Sequence, residues 1–224
     1  MVNNRYPYYI TVITFIVACF LYAGCTTNLS KIKTKQSKNQ RTAQVIDKDS
    51  NIYKAKIMLD NKHWMTANLN VNMQGSYCYD GVAINCRQYG RLYTWELAKK
   101  GCEMLGNGWR LPTDTEWEQL AAHYGGVHKD SINTGKGAYK ALLHGGDSEF
   151  NALLGGSRFS GNYTRLEAHG FYWTATEKDT LTAWFYNFAK GSQNLYRQEN
   201  GEKSRALSVR CIRNIGTTNN EFRN

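Results

Sequence analysis

The run Gly108-Trp109-Arg110-Leu111-Pro112-Thr113-Asp114-Thr115-Glu116-Trp117 decides the reading of this chain, because a helix start can be placed inside it to the residue. Thr113 and Glu116 stand at capping-box spacing: the threonine hydroxyl accepts from the Glu116 amide while the carboxylate reaches back to the Thr113 amide, satisfying first-turn donors that lack helical partners. Trp117, Leu120, Ala121 and Tyr124 follow on one apolar stripe, and Gly125-Gly126 ends it. Upstream, Gly106-Asn107-Gly108 stops an earlier helical pattern from Thr94 to about Leu105, with Ala98, Cys102 and Leu105 on its stripe. Two short amphipathic helices need something to cover, and the flanking sequence supplies it as strands.

Val45 to Leu69 alternates apolar stretches with the turn-prone clusters Asp47-Lys48-Asp49-Ser50-Asn51 and Asp60-Asn61-Lys62, which predicts a β-hairpin or meander. Asn70 to Arg91 is rich in Gly, Asn, Asp and Tyr and reads mostly as loop. Gly125 to Gly170 has many glycines and little periodicity beyond a helical candidate at Ala138 to Leu143. Long loops of this kind in a compact domain are usually functional or stapled. Strands are expected from Phe171 to Glu177, Leu181 to Phe188 and Ser204 to Arg213, the last placing Leu207, Val209 and Cys211 on one inward face.

Four cysteines fall in this region, Cys78, Cys86, Cys102 and Cys211, and four cysteines allow three pairings. They lack the close CxxC spacing of a zinc site. Placement favours a bridge from Cys102, on the inner face of the first helix, to Cys211, on the inner face of the last strand, with Cys78 and Cys86 stapling one loop. The longer bridge would be worth about 4–5 kcal/mol in the chain-entropy model. Such cysteine use belongs to an exported chain.

The N-terminus agrees. Arg5 is followed by a stretch from Tyr8 to Gly24 without a charged side chain, the pattern of a signal peptide. An uncleaved anchor helix is the alternative, since the run sits at the lower limit for spanning a bilayer. Leu21-Tyr22-Ala23-Gly24-Cys25 looks like a lipobox, with Cys25 as the lipidated residue; Ile16-Val17-Ala18-Cys19 fits the same pattern but would leave Phe20-Leu21-Tyr22 exposed beside the lipid. The expected organisation is a signal peptide over 1–24, a basic tether over 25–43, a domain over 44–216 and a disordered tail over 217–224. Lys31, Lys33, Lys35, Lys38 and Arg41 give the tether part of the formal net charge of +10. With no arginine-rich helix or nucleic-acid motif, that charge reads as membrane-surface or solubility charge, and nucleic acid is excluded as a partner.

Beyond the helix-start run, Trp64-Met65-Thr66-Ala67-Asn68-Leu69, Cys78-Tyr79-Asp80, Tyr89-Gly90-Arg91-Leu92-Tyr93-Thr94-Trp95, Tyr172-Trp173-Thr174-Ala175-Thr176-Glu177 and Ser208-Val209-Arg210-Cys211-Ile212-Arg213 follow in order along the chain. In these segments the sequence resembles the Fibrobacter succinogenes major paralogous domain, found largely in exported proteins of Bacteroidetes and relatives. That family is similar to the C-type-lectin-like and formylglycine-generating-enzyme-like group. The resemblance implies an α+β, C-type-lectin-like fold, with two helices flanking a small twisted antiparallel sheet and long loops carrying any binding site. The helix-to-last-strand disulfide also resembles the lectin arrangement.

Catalytic chemistry is not indicated. The cysteines have structural partners, the five histidines His63, His123, His128, His144 and His169 form no HExxH-like spacing, and no GxSxG elbow occurs. Glu116 and Glu118 are explained by capping and a solvated helix face. No cofactor is expected. Calcium is a minor candidate: Ala183-Trp184-Phe185-Tyr186-Asn187 has no acidic residue beside its asparagine, which leaves Asp147, Glu149 and Asn151 as oxygen donors that would have to converge. Leu181 to Phe188 is apolar or aromatic on both faces, and its continuation carries the Tyr, Asn and Arg content of recognition surfaces. Trp184, Tyr186, Asn187, Asn194, Tyr196 and Arg197 are therefore the candidate ligand-binding residues, with packing under the glycine-rich loop as the competing explanation. The stretch from Trp184 to Ser204 also looks like the place where diversified ligand-binding proteins vary.

The expected protein is a non-enzymatic lipoprotein of the cell envelope, held to the outer membrane by lipid, that binds a glycan or protein through the loop face of its domain. A structural subunit of an envelope or surface assembly is the alternative, and a diversified receptor or an enzyme comes third. The basic residues after Cys25 leave open whether the domain faces the surface or the periplasm.

Overall fold

The computed structural model describes residues 42–128 and 135–215; the expected signal peptide, Cys25, nearly all of the tether and the tail lie outside the described residues. Strands β1 (Thr42–Ile46), β2 (Ile52–Ile57) and β3 (Lys62–Met65) form the meander read from the sequence. Asp47 shapes the first turn: its carboxylate accepts from the amides of Asp49 (2.8 Å) and Asn51 (2.9 Å) and from the Tyr53 hydroxyl. β9 (Ile212–Asn214) returns to pair with β3, giving a four-stranded sheet in the order β1-β2-β3-β9.

Four short helices follow the meander: α1 (Ala83–Tyr89), α2 (Trp95–Glu103), α3 (Asp114–Ala122) and α4 (Lys136–Leu142). The capping box at Thr113 is formed from both sides, with Glu116 N–H donating to the Thr113 hydroxyl (3.2 Å) and Thr113 N–H to the Glu116 carboxylate (2.9 Å). The segment read mostly as loop from Asn70 to Arg91 contains α1 and a single 3-10 turn at Tyr79–Gly81. Both disulfides join the expected partners: Cys78–Cys86 across that turn, and Cys102–Cys211 from α2 to the approach to β9, 109 residues apart.

The second sheet corrects the fold expectation. β4 (Gly155–Phe159), β5 (Asn162–Leu166), β6 (His169–Glu177), β7 (Thr182–Ala189) and β8 (Asn194–Glu202) pair in the order β5-β4-β6-β7-β8. Among the described residues the protein is thus mostly β, two curled sheets of four and five strands with four short helices, and not an α+β C-type-lectin-like arrangement of two helices flanking one small sheet. The stretch expected to be glycine-rich loop holds the β4–β5 hairpin. Its two-residue connection Ser160-Gly161 has φ of 47° and 85°, the pair of positive values that a type I′ turn needs and that matches the twist of the strands. These strands escape hydropathy because β5 is largely exposed and β8 alternates polar with polar residues. The predicted strand from Ser204 to Arg213 is short for the opposite reason. Leu207, Val209 and Cys211 do point inward and are fully buried, but Ala206 to Ser208 make only isolated bridges to Arg158, Tyr93 and Tyr172 before β9 starts at Ile212.

Strands β6 and β7 lie between two cores. Phe171, Trp173, Ala183 and Phe185 face one core with Trp95, Ala98 and Cys102 of α2; Tyr172, Tyr186 and Phe188 face the other with Trp117, Leu120 and Ala121 of α3. A strand covered on both faces reads as a near-continuous apolar run, which explains why Leu181 to Phe188 looked apolar on each side. The second core is organised around Trp117, stacked on Tyr186 with centroids 5.0 Å apart and meeting Trp64 edge-on at 5.0 Å.

Arg210 is completely buried, and among the described residues it has no carboxylate partner. Its Nε donates to Asn68 Oδ1 (2.6 Å) and Nη1 to the carbonyls of Met65 (2.9 Å) and Phe150 (2.6 Å), while Nη2 donates to the Asn151 carbonyl (2.5 Å). Burial pushes its pKa down, to about 10, which still leaves it charged at neutral pH. The guanidinium fork therefore ties the β3 end, the loop before β4 and the last turn of the chain together through backbone oxygens.

Candidate functional site

Pairing between β7 and β8 places Tyr186 opposite Arg197 and Asn187 opposite Tyr196, so the six residues singled out in the sequence divide between two faces. On the α3 face, Arg197 forks onto the buried Asp114 carboxylate, with Nε 2.9 Å from Oδ1 and Nη2 2.5 Å from Oδ2. The Tyr186 hydroxyl donates to the Asp114 backbone carbonyl (3.2 Å), and the Trp184 ring lies beneath the Arg197 guanidinium at 3.8 Å. The hydrogen bonds to Asp114 hold the Arg197 pKa well above its ordinary value. Trp184, Tyr186 and Arg197 are in this way committed to fastening β7 and β8 to the start of α3.

The run that opens α3 is structural in the same sense. Arg110 grips both Glu116 oxygens at 2.6 and 2.7 Å, Trp109 packs under Arg213, and Trp117 centres the second core. Burial by itself would raise the Glu116 pKa; the Arg110 fork and the Thr113 amide outweigh it and hold the carboxyl below the usual range.

On the opposite face of the same strands the first core stops at Phe171 and Phe185, and the surface beyond them is open. Two adjoining cavities of about 380 and 260 Å³ share His169, Asn187 and Gln198, and the pair forms one groove running across β6, β7 and β8. Ala189, Ser192 and Tyr196 line one end; Arg165, Phe171, Phe185, Asn200 and Arg205 line the other. The His169 ring stacks on Phe171 with centroids 5.3 Å apart and planes within 7°. Below it a chain of side-chain hydrogen bonds runs Arg165 Nη1 to His169 Nε2 (3.2 Å), His169 Nδ1 to Asn187 Oδ1 (2.9 Å) and Asn187 Nδ2 to Gln198 Oε1 (3.1 Å). Of the sequence-stated candidates, Asn187 and Tyr196 reach this groove. Asn194 is buried at the β7–β8 turn, and its Oδ1 has no partner among the described residues.

Sequence reasoning missed His169, Gln198, Asn200, Arg165 and Arg205 as a group. The signal was present as the alternation Tyr196, Gln198, Asn200, which falls on the Asn187 side once β8 is recognised as a strand. Gly201 shows why that strand can close over the aromatics beside the groove, since a Cβ there would meet Trp173 at 2.6 Å and Phe185 at 2.7 Å.

Two of the oxygen donors considered for calcium are engaged with other groups. Glu149 pairs with Lys56 at 3.1 Å, the Asn151 amide donates to the Glu149 carbonyl, and the Asn151 carbonyl accepts from Arg210. No group of three His, Cys, Asp or Glu side chains suited to a metal occurs among the described residues. A larger cavity of about 490 Å³ beside α4 is lined by Lys136, Lys140, His144 and Asp147. None of these four is held by a side-chain hydrogen bond or ion pair among the described residues, so that cavity lacks the preset geometry of the groove.

No curated protein and no solved structure matches the chain. Its sequence does match the Fibrobacter succinogenes major domain over residues 37–213, a span that takes in both disulfides, all four helices and every strand described above but the last residue of β9, and the protein belongs to that family.

Proposed function

We propose that this protein is a non-enzymatic binding module that takes a glycan in the groove of β6, β7 and β8, on an exported lipoprotein anchored through Cys25. The observation that carries the reading is the hydrogen-bonded row His169–Asn187–Gln198, whose polar groups are held in register by strand pairing and by one another. Planar amides fixed on rigid strands, beside the faces of Tyr196 and the His169–Phe171 stack, suit a ligand with many hydroxyls and small apolar patches. The anchoring half rests on the uncharged run from Tyr8 to Gly24, the lipobox-like end at Cys25 and the paired cysteines of the domain.

A glycan array probed with the full chain and with its Gln198→Ala variant tests the binding half. Retention of defined glycans by the parent and their loss from the variant is the expected result; equal retention by both would remove the groove from the account.

A second reading, a subunit of an envelope assembly, is favoured by one feature. β1 is an edge strand, and its Ile46 stands opposite Ile52 with both side chains about three-fifths exposed. A partner strand added at that edge would cover the pair. Chemical cross-linking of whole cells, with Ile46→Lys as the disrupting variant, separates an assembly role from a binding one.

A further inference from the structure

We infer that the ligand of the groove is an anionic glycan, one whose sugars carry carboxylate or sulfate groups. This rests on the glycan-binding reading above and deepens it. The argument begins with the direction of the hydrogen-bond chain. The Arg165 guanidinium has protons to give and no lone pair to offer, so His169 Nε2 must accept and the imidazole proton sits on Nδ1. Nδ1 then donates to Asn187 Oδ1, which turns the Asn187 amide so that Nδ2 donates to Gln198 Oε1. The Gln198 carbonyl is thereby engaged, and its NH2 group is left with no acceptor among the described residues. One cation at the rim has oriented three side chains, and the row ends in donors.

The charges around the groove point the same way. Arg165 and Arg205 line it, and no acidic side chain does. Arg205 forms no ion pair or side-chain hydrogen bond among the described residues; its guanidinium lies over the Phe159 ring at 5.0 Å, and its Nε is shielded from solvent without an acceptor. Two nearby carboxylates are occupied elsewhere: Glu167 accepts from the Tyr89 hydroxyl at 2.7 Å, and Glu199 is paired with Lys178. A protonless acceptor is what this lining lacks, and planar oxyanions match guanidinium donors in geometry as well as charge. A glycan hydroxyl accepts from a guanidinium only as a neutral group, whereas a carboxylate or sulfate makes the stronger charge-assisted bond and gains from two nearby cations.

The test measures equilibrium binding of the full chain to four probes: a short oligogalacturonate, a sulfated oligosaccharide, an uncharged oligoglucoside and a poly-glutamate peptide. The Arg205→Ala, Arg165→Ala and Gln198→Ala variants are run alongside, each first checked for an unchanged melting temperature. The expected pattern is that one or both charged glycans bind at least tenfold more tightly than the uncharged one. Arg205→Ala should erase that preference, Arg165→Ala should weaken every glycan through the loosened Gln198 amide, and Gln198→Ala should weaken every glycan directly. Preference for oligogalacturonate over the sulfated probe would assign carboxylate, and the reverse would assign sulfate. Equal binding of the uncharged glycan, with Arg205→Ala unaffected but Gln198→Ala weakened, overturns the inference and leaves the glycan reading standing. Poly-glutamate binding as tightly as the charged glycans overturns the glycan class, and no binding by any probe overturns both.

Discussion

The two faces of the β7–β8 ribbon use the same residue types for opposite ends. On the α3 side, Tyr186 and Arg197 bond to Asp114 with Trp184 packed against the Arg197 guanidinium, and the hydrogen-bonding capacity of that knot is spent inside the protein. On the other side, His169, Asn187 and Gln198 are also bonded in series, but the series is open-ended and stops at a donor pair facing solvent. Aromatic and arginine content therefore does not by itself mark a recognition surface. What distinguishes the faces is whether a buried carboxylate closes the network.

The largest blow to either face comes from removing what holds the cores on both sides. Cys102→Ala with Cys211→Ala should cost about 4–5 kcal/mol by releasing a long loop in the unfolded chain, read as the urea midpoint of the full chain without reductant. An unchanged midpoint would mean that the bridge does not form in the protein as it is made. Arg210→Met should come next, at about 3 kcal/mol or more, because it leaves the carbonyls of Met65, Phe150 and Asn151 without their donor. A loss below 1 kcal/mol would show that these oxygens find water.

Asp114→Asn attacks the closed face alone. It should destabilise by about 2 kcal/mol, less than a wholly buried pair would, since Arg197 is about one-third exposed. Groove binding should survive, as should the Gln198 amide environment. The smallest effect on stability belongs to Gln198→Ala, expected within about 0.5 kcal/mol as for other surface changes, yet this variant should lose ligand. Reversal of the two outcomes would exchange the roles assigned to the faces.

Acid offers a graded version of the same contrast. The native Glu116 pKa is held below its unfolded value, so the stability it contributes is fully present above about pH 4.3 and is lost as pH falls through the depressed native value. Glu116→Gln should therefore flatten the acid limb of a stability profile while leaving neutral-pH binding intact. An acid limb as steep as that of the parent would place the titrating group elsewhere.

Much of the scaffold was legible in the sequence because its signals are local. The Thr113–Glu116 box, the glycine stops at 106–108 and 125–126 and the alternation of Leu207, Val209 and Cys211 each act within a few residues, and all appear in the structure. Cysteine pairing followed from those placements. The five-stranded sheet was not legible, because β4, β5 and β8 have too little apolar alternation to be told from loop, and hydrogen bonding to β6 and β7 defines them. The groove was missed for the same reason. Asn187, Gln198 and His169 become neighbours only through strand register, and Trp184 looked like a binding residue because nothing in its own segment announces Asp114.

Resonance assignment of the full chain followed by titration with a short oligogalacturonate tests the account most directly, because both faces are read in one experiment. The account predicts that the side-chain amides of Gln198 and Asn187 and the Arg205 Nε–H move with added ligand while the Trp184 indole and the Arg197 Nε–H stay fixed. Movement of the Trp184 and Arg197 signals with Gln198 unmoved would contradict it.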